Sequence, residues 1–133
     1  MNDPIILQFD DDDSYFTVAE IICFNMGLKI TATARDIAST RNLIASIEAK
    51  KLNPNIAIIS DYLGNNYDDG RKLAKKLREI APELKIIAYV TDPDTDWGDF
   101  LAIKSGKDAN TTLLRLLEEL TGKKFVASNI QAS

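Results

Sequence analysis

The stretch Ile5-Ile6-Leu7-Gln8-Phe9-Asp10-Asp11-Asp12-Asp13 sets four carboxylates directly behind an apolar run. A near-continuous apolar run of this length is what a strand covered on both faces requires. The pattern returns at Ile56-Ala57-Ile58-Ile59-Ser60-Asp61, at Lys85-Ile86-Ile87-Ala88-Tyr89-Val90-Thr91, and more briefly at Phe100-Leu101-Ala102-Ile103-Lys104. Leu28 to Ala34 alternates as a further strand, second in chain order. Helical spacing fills the intervals. Val18, Ile21, Ile22 and Met26 precede Gly27, which closes the first helix, and Leu43, Ile44 and Ile47 follow Asp36, a natural N-cap. Leu73, Leu77 and Ile80 run up to Pro82, and Leu113, Leu116, Leu117 and Leu120 mark a last helix from about Asn110. Strands alternating with helices predict an α/β domain around a five-stranded parallel sheet.

The 133 residues suit one domain, predicted over 1–122, with 123–133 a loose polar tail. A hydrophobic share of 45% is enough to bury a core without staples. The absence of histidine excludes a histidine base or nucleophile and most zinc sites. Cys23 stands alone in an apolar helical stretch and reads as a small buried hydrophobe. A net charge of −4 argues against a general nucleic-acid or anionic-membrane binder. No apolar run is long enough to span a bilayer, and the first residues lack the basic and apolar regions of a signal peptide. A cytoplasmic location is expected.

Open parallel sheets bind ligands at the carboxyl ends of their strands. Here those ends carry Asp10 and Asp11, Asp61, Thr91 and Lys104. Three carboxylates brought to one edge repel each other unless a cation neutralises them, and hard oxygen donors suit Mg²⁺ or Mn²⁺. An aspartate so neutralised can attack a phosphoryl group, while a lysine and a hydroxyl hold the phosphoryl oxygens. Asp12 and Asp13 also suit a helix N-terminus, where acids compensate the dipole.

In this combination the chain resembles the receiver domains of two-component response regulators, over about Pro4 to Leu120. The resemblance rests on Asp10-Asp11, on Ile58-Ile59-Ser60-Asp61, on Asp69-Gly70, on Ile87-Ala88-Tyr89-Val90-Thr91 and on Lys104. It implies a doubly wound, flavodoxin-like sheet in the order 2-1-3-4-5, with Asp61 the phosphoacceptor. It implies metal ligation by Asp10, Asp11, Asp61 and the backbone carbonyl of Leu63, and phosphoryl binding by Thr91 and Lys104. The donor would be a histidine kinase or a phosphotransfer protein. The chain would be a signalling domain and not a turnover enzyme. The alternative is a degenerate receiver that binds partners without being phosphorylated. A phosphatase with an aspartate nucleophile would need a second aspartate two positions on, where Leu63 stands.

The pattern is broken in places. Thr91 and Lys104 are thirteen positions apart, and a helix of about 11–12 residues cannot share that interval with a strand. The fourth helix is therefore expected to be missing or reduced to a loop. Asp92 stands where the family usually has a small residue, and would repel the phosphoryl group or point away along the loop. Ser105 follows Lys104 in place of the family's cis proline, so a trans peptide is expected. Leu101 falls at the position of the family's switch aromatic, with Phe100 one position off. Asp92, Asp94 and Asp96 match the start of a calcium loop, but Gly98 comes one position late and Ile103 occupies the closing acidic position. Without its fourth helix the domain is expected to expose strand four, strand five and the flank of the last helix, with Trp97 and Leu114 in the patch. Such a face would take a second copy or a dedicated partner.

Overall fold

A computed structural model describes residues 3–64, 66–106 and 108–126. Strand β1 (Ile6–Phe9) leads into helix α1 (Asp13–Phe24), followed by β2 (Ala32–Ala34), α2 (Ile37–Glu48), β3 (Ile56–Ile59) and α3 (Asp69–Ile80). Then come β4 (Lys85–Val90), β5 (Phe100–Ile103) and α4 (Thr111–Thr121). All strand pairs are parallel and the sheet order is β2-β1-β3-β4-β5. The second strand is shorter than its alternation predicts and keeps only its last three residues. Asp36 caps α2: its carboxylate accepts from Ser39 N at 2.8 Å while Ser39 Oγ accepts from Asp36 N at 3.3 Å. That reciprocal bond satisfies two otherwise orphaned donors.

Period-two alternation sorts the strands onto two cores. Ile6, Ile58, Ile87, Tyr89 and Ala102 face α1 and α4, where Cys23, Leu113 and Leu117 are buried. Leu7, Phe9, Ala57, Ile59 and Ile86 face α2 and α3. Past Gly122 the chain stays docked as far as Val126. Phe125 packs on the α1–α4 core and Val126 N donates to Asn25 O at 2.8 Å. The described part of the expected loose tail is thus tied down by the Phe125 ring and the Val126 amide; residues 127–133 lie outside the described set.

Between β4 and β5 there is no helix: residues 91–99 are turns and bends. Parallel neighbours usually need about a dozen residues or more to cross over. This crossover is shorter because it lies flat on the sheet. A Cβ added at Gly98 would stand 2.8 Å from Ala88 Cβ and 2.8 Å from Phe100 O. Trp97 packs on the α2–α3 core, and Asp99 accepts from Ile86 N at 2.8 Å while meeting Arg78 of α3 at 3.2 Å. The expectation that loss of the helix exposes strand four is therefore corrected: β4 is buried from Ile86 to Val90 beneath its own crossover. Leu101, Ile103, Trp97 and Leu114 are half-buried. The exposed large apolar side chains include Ile21 and Phe24 on α1 and Val126.

Two outcomes follow from this packing. Gly98→Ala should lose about 1–3 kcal/mol in denaturant unfolding, the range for overpacking a tight site. Asp36 has its carboxyl held below its ordinary 3.8 by the Ser39 bonds. Its folded value is depressed, so its stabilising effect is present above 3.8 and fades as pH falls through the folded value. The melting-temperature gap between wild type and Asp36→Ala should be open at pH 7 and close in strong acid.

Candidate functional site

The carboxyl ends of β1, β3 and β5 are pinned by bonds that continue the ladders. Asp10 N donates to Ala34 O at 3.0 Å, Ser60 N to Phe9 O at 2.8 Å and Lys104 N to Val90 O at 2.8 Å. These fix three backbones at one edge and bring their side chains together. Asp10 is 1% exposed, Asp61 6% and Lys104 9%. Lys104 Nζ meets Asp10 Oδ2 at 2.7 Å and donates to Ser60 Oγ at 3.0 Å. Ser60 Oγ in turn donates to Asp61 Oδ1 at 3.3 Å. Burial pushes the Asp10 carboxyl up from 3.8, and the adjacent Lys104 ammonium partly offsets that rise.

Alternation explains why the lysine meets Asp10 and Ser60. Asp10, Ser60 and Lys104 continue the rows of Ile6, Ile58 and Ala102, all on the α1–α4 side. Asp61 is held from the other side: its carbonyl accepts from Gly70 N at 3.0 Å. A Cβ on Gly70 would collide with Ser60 O and stand 2.9 Å from Trp97 Cζ2. Only glycine lets α3 begin this close to Asp61. Leu63 is buried among the α2–α3 core, and its N–H donates to Asp69 Oδ2 at 3.2 Å.

The remaining expected residues sit at the rim. Asp11 and Thr91 are exposed. The β4–β5 register pairs Val90 with Ile103, so Thr91 and Lys104 start from neighbouring strand ends. Asp92 turns along the loop: it accepts from Asp94 N at 2.9 Å and from the Tyr67 hydroxyl at 3.0 Å. That bond to Asp92 raises the Tyr67 hydroxyl above its ordinary value, so Tyr67 stays a donor. Asp12 caps α1 and Asp13 pairs with Arg35 at 2.7 Å, the structural role open to both from sequence.

No protein-family model matches the chain, and neither does any curated protein. Solved structures do. A signal receiver domain of an HD domain-containing protein from Pseudomonas fluorescens superposes with a TM-score of 0.69 at 20% identity, over 90% of this chain and 94% of that one. A CheY-like receiver domain protein from Methanospirillum hungatei gives 0.68 at 20% identity, over 89% and 93%. A response regulator from Thermotoga maritima gives 0.69 at 13% identity, over 90% and 98%.

The chain has the receiver-domain fold.

Asp10 and Asp61, buried, and Asp11, exposed, are the hard oxygen donors at the carboxyl ends of β1 and β3. Their chemistry fits a divalent cation, although Asp10 already has Lys104 as counter-ion. Among the described residues no three acidic or thiol side chains converge closely enough to form a metal cluster, in the pocket or in the acidic crossover. The peptides of the described residues are trans, including that after Lys104.

Three residues at the site were not read from sequence: Ser60, Tyr15 and Tyr89. Ser60 was legible, since it lies two positions past inward-facing Ile58. Tyr89 follows from the same alternation. Tyr15 carries no such signal, because its approach depends on how α1 packs across the sheet.

Removing Lys104 leaves the buried Asp10 carboxylate without its counter-ion, with the Asp12 amide at 3.1 Å still donating to it. Lys104→Met should cost about 3–5 kcal/mol at neutral pH, the range for breaking a buried pair. The raised Asp10 value sets the sign: acid protonates the orphaned carboxyl, so the deficit should shrink as pH falls. Urea titrations at pH 7 and pH 5 check this.

Proposed function

We propose that the chain accepts a phosphoryl group on Asp61 and signals by protein–protein contact. The observation that carries this reading is a buried Asp61 at a strand end, linked through Ser60 to a buried ammonium that itself neutralises Asp10. Buried titratable groups gathered at the ligand-binding edge of a parallel sheet point to function more than to stability. In the transfer, the N–P bond of a phosphohistidine on a kinase or phosphotransfer protein breaks and an O–P bond to Asp61 forms. The leaving nitrogen keeps the bond's electron pair. Mg²⁺ or Mn²⁺ held by Asp10, Asp11, Asp61 and the Leu63 carbonyl would supply the charge neutralisation that lets a carboxylate approach a phosphoryl group.

The chain's own residues do the rest. Lys104 offers its ammonium to the phosphoryl oxygens from the Asp10 side, and Thr91 offers a hydroxyl from the adjacent strand end. Asp92 is kept out of the way by Tyr67 and the Asp94 amide.

A second reading, a receiver that binds partners without phosphorylation, is favoured by one observation. The buried Asp10 carboxylate already has the Lys104 ammonium as its counter-ion. Incubation with Mg²⁺ and acetyl phosphate separates the two. The first reading expects one phosphoryl mass on the wild type, absent from Asp61→Asn. An unmodified wild type, or equal modification of Asp61→Asn, would sink it. Chelation should lower the rate by about 10²-fold or more if the cation supplies the usual several kcal/mol.

A further inference from the structure

Lys104 has more around it than oxygen. Its Nζ lies 4.2 Å from the centroid of the Tyr15 ring and 5.4 Å from that of Tyr89. The two rings meet edge to face, 5.5 Å apart with planes at 85°. An ammonium has three donors. Asp10 and Ser60 take two of them, at 2.7 and 3.0 Å, and the aromatic faces close the remaining side. An ammonium this deeply buried gives up most of its hydration, and ring quadrupoles replace part of what is lost.

Both rings are themselves held. Tyr89 is fully buried in the α1–α4 core, and its hydroxyl donates to Asn110 Oδ1. Asn110 stands in the left-handed region, φ 72°, at the start of α4. Tyr15 lies in the first turn of α1, where its N–H donates to Asp12 O at 3.2 Å and its carbonyl accepts from Gln8 Nε2 at 3.1 Å. Ordinary core packing would set a ring against the lysine's methylene stem. Here the charged end stands over the nearer ring.

We propose that Tyr15 and Tyr89 are positioning residues, an aromatic seat that holds the Lys104 ammonium at Asp10 and, through Ser60, beside Asp61. A lysine is a point charge on a flexible four-carbon stem and has no rigid fork of its own to keep it in place. Without the seat, the ammonium swings out toward water above the sheet and Ser60 loses its donor. The seat's effect on phosphoryl transfer rests on the reading of Asp61 given above; its geometry does not.

The full chain, labelled at lysine carbons, tests this in the metal-free state. The Lys104 ε protons, assigned by their loss in Lys104→Met, should be shifted upfield by the ring currents in wild type and in Tyr15→Phe. They should return to the position of an exposed lysine in Tyr15→Leu, or in Tyr15→Met if the leucine variant does not fold. With Mg²⁺ then added, acetyl phosphate should label Tyr15→Leu about tenfold more slowly than wild type, the scale of one desolvated cation–π contact, with most of the rate restored in Tyr15→Phe. Unshifted ε protons in wild type, or no change in Tyr15→Leu, overturn the seat. A lost shift with an unchanged rate overturns its positioning role. A wild type that takes no phosphoryl group overturns the acceptor reading alone, and the ε protons still decide the seat.

Discussion

An ammonium and a carboxylate, both buried, face each other across 2.7 Å at the carboxyl edge of this sheet. Taking either charge out of water alone costs several kcal/mol. Moving either Lys104 or Asp10 leaves the other as a buried charge without its partner. The constraint spreads outward. Ser60 must keep its hydroxyl oxygen toward the lysine, Asp61 accepts the hydroxyl's hydrogen bond, and Gly70 must stay bare so that α3 can hold the Asp61 backbone from below. A hydrophobic pair would serve stability as well or better. What the ion pair adds is a buried ammonium linked through Ser60 to a second buried carboxylate, Asp61, which on the proposed reading it would share with an incoming phosphoryl group.

The nine-residue crossover solves a different problem. A missing helix would ordinarily leave one face of β4 in water. Instead the chain lies against the strand at Gly98, plugs the gap beside α3 with Trp97, and ties the return to Ile86 and Arg78 through Asp99. The acidic side chains of this segment serve as local acceptors and ion-pair partners. Asp92 satisfies a turn amide and a tyrosine, and Asp99 an edge amide and an arginine. A stretch that matches only the start of a calcium loop folds onto its own sheet.

Much of this could be read from residue order alone. The five strands, their parallel pairing and the absent helix follow from apolar runs and from the spacing of Thr91 and Lys104. Asp10, Asp61 and Lys104 were legible because strand ends in such a sheet must converge. The burial of β4 was not, since it depends on Gly98 and Trp97 fitting surfaces that are distant in sequence. The docking of Phe125 and Val126 was missed because two apolar residues in a polar stretch carry no periodicity. Tyr15 was missed for a related reason: a ring on a helix shows its role only when the helix packs and its face is known.

Trp97 is the chain's single tryptophan. It leans on Gly70, whose amide holds the carbonyl of Asp61. The indole thus sits one glycine away from the backbone of Asp61, half-buried within the crossover. The domain carries a built-in fluorophore whose emission samples the junction of α3, the crossover and the end of β3, so that events at that junction are visible without any attached dye.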